Sequence, residues 1–466
     1  MVEDQSIKKY TLLAVTLASF LTAITGSAIN LAIPAIGNEF QSSTTSLSWV
    51  ATSYLLACAA FLVPFGRLGD IVGRRKIFLL GVNVFFLSSL MCGFAWSMAS
   101  LILFRIIQGI GAGMIFSTNM AILTSVFSPQ ERGRVFGISV AAVYTGLSFG
   151  PAIGGFLNHQ FGWQSIFIFT SILALIVVLF TAFGLKGEWH GAAGEKFDRV
   201  GSFLYVLGIT AFMYGISAMT TSPAAKFVFL AGFIILLVFG FYEVRIQHPI
   251  LYLSLFKNIT FAFSNLAAFI SYSATFALGF LLSLYLQEIQ GYDSQVSGLI
   301  LLSQPVIMAL LSPFSGSLSD RIEPRVLATL GMVITTVGLI PLSFLTPSTP
   351  VWLLILDLIF LGIGFALFSS PNTHAVMSSV EIRYSGIASS TLATMRMTGQ
   401  AVSMAIVTLI MSVYLGDAQL SPSLYGSLLT STKTSFAVFA LICFVGIFAS
   451  WARGKKQPVQ AGNQPL

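Results

Sequence analysis

Charge is what this sequence has least of: only 8% of its 466 residues are Asp, Glu, Lys or Arg, against about 25% in an ordinary soluble domain. A chain so poor in charge cannot clothe a water-facing surface, which excludes a soluble globular protein. Cysteine is almost absent as well. Cys58, Cys92 and Cys443 each sit inside an apolar run, where a thiol behaves as a small hydrophobe. They indicate neither a disulfide framework nor a metal site. The four histidines, His159, His190, His248 and His374, are too scattered for a metal motif and read as loop or helix-end residues. A phosphate-binding G-x-x-x-x-G-K-[ST] loop is missing, which disfavours ATP-driven transport. No nucleophile and base can be paired from the sequence, so an enzyme is not expected and no cofactor is implied. The net charge of +7 comes in short basic clusters between apolar runs, a placement that points to membrane topology and away from nucleic acid.

Apolar residues are abundant: 56% of the chain, with a mean hydropathy of +0.89. Runs of about 20 residues, enough to cross roughly 30 Å of hydrocarbon as a helix, recur along the chain. They are continuous and do not alternate as barrel strands do. The expected fold is an all-α polytopic membrane protein. Spans are predicted at 10–34, 46–65, 77–96, 99–126, 136–157, 164–185, 200–220, 226–246, 260–286, 295–314, 326–345, 351–373, 388–414 and 431–451, numbered helices 1 to 14. The first run follows Lys8 and Lys9, extends to about Pro34 and lacks an A-x-A cleavage pattern, so it reads as a retained span. An even count places both termini on one side. Outside the spans, every basic residue except Lys226 and Lys433 falls on that side, which the positive-inside rule makes cytoplasmic, in a plasma membrane. The last residues, KKQPVQAGNQPL, read as a disordered tail.

The chain repeats itself. GRLGDIVGRRK from Gly66 and GSLSDRIEPR from Gly316 share Gly, Leu, Asp and Arg at an offset of 250. Gly109, Gly111, Ser117 and Asn119 match Gly362, Gly364, Ser370 and Asn372 at an offset of 253, which Thr145-Gly146 and Thr398-Gly399 keep. The expected organisation is an N-terminal six-helix bundle (1–188), a linker with two additional helices (189–258), a C-terminal six-helix bundle (259–452) and a tail (453–466). Parallel six-helix halves are a transporter architecture with the substrate at their interface.

These residues resemble the major facilitator superfamily, in particular its fourteen-helix drug:proton antiporter branch. Gly66-x-Leu68-x-Asp70-x-x-Gly73-Arg74-Arg75-Lys76, expected in the turn between helices 2 and 3, is similar to the family's signature turn. Leu101-x-x-x-Arg105-x-x-Gln108-Gly109-x-Gly111 resembles its helix 4 motif, and Gly146-x-x-x-Gly150-Pro151-x-x-Gly154-Gly155 its helix 5 antiporter motif. The resemblance implies proton-coupled efflux of hydrophobic or amphipathic compounds by alternating access. Export of a specific endogenous metabolite or lipid-like molecule with different coupling, or a non-transporting receptor of the same fold, are the alternatives. It further implies that Gly66, Asp70, Gly73, Arg74, Arg75, Asp320 and Arg325 latch one conformation. The expected partners are an amphipathic small molecule, protons and the bilayer, and the expected state is a monomer.

One departure stands out. The branch usually carries an aspartate in helix 1 shortly before an Asn-x-Ala-x-Pro stretch; here Asn30 to Pro34 supply the stretch and Thr25 takes the aligned position. Among the 16 acidic residues only Asp357 lies well within a span, where a charge costs about 2.5–3.5 kcal/mol at the helix centre. The intramembrane cations are Arg105 and Arg396. Arg105 is expected at a depth similar to Asp357 and to pair with it near an outer gate; bonding of Arg105 to helix 1 carbonyls is the other reading. Thr25, Asn30, Gln108, Asn119, Asn265, Tyr272 and Asn372 are the cavity candidates.

Overall fold

The computed structural model describes residues 2–29, 32–40, 44–185, 187–219, 222, 224–415 and 424–454. Asn30 and the last twelve residues lie outside them. The described residues contain no strand. Among the described residues, fourteen helices are long and apolar enough to cross a membrane. Helices 1 to 6 are Ile7–Ala28, Trp49–Val72, Arg74–Gly93, Met98–Val126, Arg132–Phe161 and Gln164–Gly184. Helices 7 and 8 are Arg199–Ile216 and Ala225–Glu243. Helices 9 to 14 are Ile259–Ile289, Gln295–Arg321, Pro324–Leu342, Val351–Ser378, Ile382–Leu415 and Tyr425–Trp451.

Two boundaries differ from the hydropathy reading. Helix 1 stops at Ala28 and a separate short helix, Ile33–Phe40, follows. More consequentially, GRLGDIV is not a turn. Helix 2 continues through it to Val72, and the break falls on Gly73, whose φ of 126° suits only glycine. In the second copy helix 10 likewise runs to Arg321, and Pro324 starts helix 11. Charge ends an apolar window without ending helix propensity, so hydropathy stopped these helices two turns early.

The repeat is present in the packing. A Cβ on Gly146 would lie 2.6 Å from the Phe20 carbonyl oxygen of helix 1, and one on Gly399 would lie 2.6 Å from that of Phe269 in helix 9. Gly111 meets Gly81 and Phe85 of helix 3; Gly364 meets Gly331 and Thr335 of helix 11. Without water as a driving force, such small-residue contacts let helix backbones approach and gain dispersion. Gly150 and Gly154 continue the helix 5 face onto Ser27 and Ala28, with Pro151 inside the same helix and Gly155 half-buried. One apolar cluster fills the first six helices and reaches Val376 and Leu392 of the last six; a second lies within the last six.

Helices 7 and 8 form a hairpin outside both sets. Helix 7 packs on helices 2 and 13 together. Its Tyr205 hydroxyl donates to the Ala59 carbonyl at 3.4 Å and lies 3.3 Å from Thr394 Oγ1, while Ile209 and Met213 join a cluster with Ala60, Val63 and Ala401. Helix 8 is outermost, with Phe227, Leu230 and Phe241 exposed.

The segment leading from helix 6 to helix 7 is a strap under the Gly73 break. Gly191 and Ala192 N–H groups donate to the Asp70 carbonyl at 3.0 and 2.9 Å, and Arg74 N–H donates to the Trp189 carbonyl at 2.9 Å. Arg75 N–H donates to Glu188 Oε1 at 2.8 Å. The strap thus satisfies N–H groups that the start of helix 3 leaves open and sets a carboxylate at its positive end.

Candidate functional site

A cavity of about 50 Å³ lies between the two six-helix sets. That holds a few water molecules and is far below the roughly 300–1,000 Å³ of a ligand pocket, so the cleft is constricted in this conformation. Ser19 of helix 1, Phe116, Asn119 and Met120 of helix 4, and Tyr144 of helix 5 line one wall; Tyr272 of helix 9, Ser369 of helix 12, and Ser389 and Arg396 of helix 13 line the other. Asn119 Nδ2 donates to Ser19 Oγ at 3.0 Å, leaving its Oδ1 buried with no partner. Arg396 Nη2 donates to Thr373 Oγ1 at 2.5 Å and its guanidinium stands 5.7 Å from the Tyr272 ring. Arg396 is the single charged side chain among the described residues that line this cavity.

Of the cavity candidates, Asn119 and Tyr272 line it with Arg396; Thr25, Gln108, Asn265 and Asn372 are engaged elsewhere, and Asn30 lies outside the described residues. Thr25 Oγ1 donates to the Leu21 carbonyl within its own helix. Gln108 accepts from Arg105 through Oε1 at 2.5 Å and donates to Ser89 Oγ at 2.7 Å. Asn265 Nδ2 donates to the Phe261 carbonyl at 2.9 Å. Asn372 donates to the Ser264 carbonyl at 3.2 Å and accepts from Arg453 Nη1 at 2.8 Å. Arg453, 1% exposed, also reaches the Ser450 carbonyl and hydroxyl, so the chain just past helix 14 is tied to helix 12. Asn372→Ala should therefore lower stability by about 1.5–3 kcal/mol, the worth of a hydrogen bond to a charged group, read as a drop in Tm in detergent.

The expected Arg105–Asp357 pair does not form. Arg105 Nε donates to the Val50 carbonyl of helix 2 at 2.9 Å and its guanidinium lies 4.4 Å from the Tyr54 ring. The carbonyl it uses belongs to helix 2 and not to helix 1. Similar depth did not bring the groups together because Arg105 faces into its own six-helix set. Asp357 is half-buried on helix 12, with Oδ2 enclosed and unpartnered. It stands twelve residues from Ser369, about 18 Å along the helix, and so lies away from the cavity.

Beyond the cavity, on the side that holds Ile7 and Trp451, the two sets meet at paired contacts. Asp70 accepts from Arg74 through Nε at 2.8 Å and Nη2 at 2.7 Å, both side chains fully buried. The same carboxylate lies against Gly386 near the start of helix 13. Arg74 continues to Ser125 Oγ at 2.6 Å and across to the Ile382 carbonyl at 3.2 Å. A Cβ on Gly66 would lie 2.6 Å from Ser390 Oγ. In the second copy Asp320 lies against Gly133 at the start of helix 5. Gly133 and Gly386 are 253 residues apart, so each acid docks on the equivalent helix N-terminus, where the helix dipole favours a carboxylate. Arg75 donates to the Ala182 carbonyl at 3.2 Å, and Arg325 lies over the Trp451 ring with Glu323 at 3.9 Å.

Sequence reasoning missed Ser19, Tyr144, Ser369 and Ser389. It also missed the cluster under the seam, where Arg67 donates to Glu195 and to the Tyr252 hydroxyl, and His248 Nδ1 lies 2.9 Å from Glu195. Burial raises the Glu195 carboxyl, yet hydrogen bonds from Arg67 and His248 outweigh it and hold the group below the usual carboxylate range.

The sequence model of the Major Facilitator Superfamily matches residues 15–264 and 264–465. The chain is 29% identical over 436 residues to the riboflavin transporter RibZ of Clostridioides difficile (strain 630), covering 94% of this chain and 95% of that one. It is 30% identical over 422 residues to the multidrug resistance protein Stp of Mycobacterium tuberculosis (strain CDC 1551 / Oshkosh), covering 89% and 78%. The crystal structure of the human organic anion transporter MFSD10 superposes with a TM-score of 0.66 at 13% identity, over 96% of this chain and 99% of that one. With both halves of its length matched, the chain belongs to the Major Facilitator Superfamily and is a multi-pass membrane transporter, not an enzyme.

Proposed function

We propose that this transporter exports amphipathic compounds by alternating access, driven by protons, with both termini in the cytoplasm and the seam of Asp70 and Asp320 as its cytoplasmic gate. The observation that carries the reading is a constricted cavity between the two sets, backed on the terminal side by two equivalent carboxylate-to-helix contacts. Contacts that repeat at one end of a pseudo-symmetric pair can break together when the sets rock. Gly66, Asp70, Gly73, Arg74, Arg75 and Asp320 supply the latch, with Arg325 beside it. Arg396 gives the cavity a positive charge among Phe116, Tyr144 and Tyr272, which suits acidic or neutral polyaromatic amphiphiles better than cationic dyes. Asp357 is the proposed proton carrier: an enclosed carboxyl oxygen with no donor costs least when the group carries a proton.

The reading is tested by substrate-dependent proton release from inverted vesicles, with cationic, neutral and anionic amphiphiles. Anionic and neutral compounds should release protons, and Asp357→Asn should abolish the release. Proton release unchanged in Asp357→Asn would remove Asp357 from the mechanism, and none with any compound would remove drug efflux. A second reading, transport of a flavin-like metabolite, is favoured by the aromatic lining around one cation and by the likeness to RibZ along almost the whole chain. Riboflavin belongs in the same panel.

A further inference from the structure

The two copies of the gate differ in one chemical respect. In the first, Asp70 is compensated by Arg74. The residue 250 positions after Arg74 is Pro324, which carries no charge. A basic group reaches the second acid from helix 12 instead: His374, 4% exposed, has Nδ1 2.9 Å from Ser319 Oγ and 3.8 Å from Asp320 Oδ1. His374 stands 253 residues after Ala121, the residue whose carbonyl accepts from Arg74 in the first copy. The imidazole thus approaches from the position against which the guanidinium lies in the other half. The Ser319 hydroxyl donates to the Gly316 carbonyl at 2.6 Å, so its oxygen accepts from His374 and Nδ1 carries a hydrogen. A second proton, on Nε2, makes the ring a cation and leaves that hydrogen bond intact.

We propose that His374 is a positioning residue of the transport cycle: as imidazolium it compensates Asp320 where that carboxylate docks on Gly133, and so holds the second half of the gate closed. The proposal rests on reading the two copies as a gate. Closure gains an ion pair that only the charged ring makes, so it is favoured while the ring holds its second proton and weakens as rising pH removes it.

The neighbouring charges do not supply this response. Arg132, at the start of helix 5, donates back to the Phe127 and Thr124 carbonyls. Arg321, Glu323 and Arg325 flank the helix 10–11 turn, and Arg383 pairs with Glu381 at the start of helix 13. Arginine keeps its charge throughout. Glu131, before helix 5, is held below the usual carboxylate range by hydrogen bonds from Lys8 and Ser128, and Glu195 by those described above. His248 beside Glu195, His190 beside the Ile71 carbonyl and the buried Glu243 at the end of helix 8 are competing titratable groups on this side.

The test uses the full-length protein in lipid nanodiscs, spin-labelled at Gln130→Cys and Ile322→Cys, both exposed; the native cysteines are buried. Between pH 5.5 and 8.0 the closed-to-open ratio should fall about tenfold as the imidazole loses its proton. His374→Gln should abolish the response, while His248→Gln and His190→Gln retain it. Asp320→Asn should abolish it with the histidine in place, and serves if His374→Gln does not fold. A response that survives in His374→Gln or Asp320→Asn, or that is lost in His248→Gln, overturns the proposal. The Gly66→Leu protein separates the two readings. A distance change in that variant without a pH response in the wild type sinks the histidine alone, and no change in either sinks the gate.

Discussion

The Gly66→Leu protein should insert, purify as the wild type does and transport at less than about a hundredth of its rate. A Cβ alone at this position would lie 2.6 Å from Ser390 Oγ and 3.1 Å from the Gly386 carbonyl, and a leucine adds three more carbons. Overpacking of a close contact costs typically 1–3 kcal/mol even where neighbours can shift. Here one neighbour is backbone. The contact joins helix 2 to helix 13, so the cost falls on the closed seam and not on the folding of either six-helix set. The check is thiol labelling. With Ser389→Cys in the cavity wall, a reagent confined to the terminal side should react slowly in the Gly66 protein and quickly in Gly66→Leu. Gly146→Leu makes the contrast, because its clash is with Phe20 of helix 1 inside one set; it should fail to accumulate at all.

Asp70→Asn should weaken the closed state even more. It leaves the Arg74 guanidinium, 1% exposed, without its counter-charge. Removing one member of a buried ion pair costs about 3–5 kcal/mol, a shift of more than a hundredfold in a two-state equilibrium. The asparagine still fits against Gly386, so the helix contact is retained in shape while its charge is lost. Arg74→Gln should cost a similar amount, and the double variant less than the sum, because the two side chains form one unit. Transport rate and Tm, measured for all four proteins, check this: additive losses would mean that the pair contributes nothing as a pair.

Fourteen spans and a repeat were legible because hydrocarbon leaves a chain few choices. Apolar runs of the required length must be helices, and offsets of 250 and 253 survive as glycines packing on equivalent carbonyls. The end of helix 2 was less legible. Charged residues at Arg67 and Asp70 look like a loop to any hydropathy window, yet they are the last buried turns of a helix. Partners across helices were not legible at all. Asp357 and Arg105 were expected at one depth, yet Arg105 turns to Val50 and Tyr54 and the two do not pair, and His374 looked like an ordinary helix-end residue because nothing near it in the chain announces Asp320. Asn119, Tyr272 and Arg396 could be found as polar groups inside apolar runs. Ser19 and Ser389 could not, since a small residue on a membrane helix packs far more often than it binds.

Helix 7 makes the molecule's two flanks unequal. One seam of the cleft, between helices 2 and 13, is roofed by Tyr205, Ile209 and Met213. The other, between helices 5 and 10, has no such cover among the described residues. The two flanks therefore offer different faces to the bilayer: the helix 7–8 hairpin beside one seam, and the exposed Phe149 and Phe156 of helix 5 on the other side.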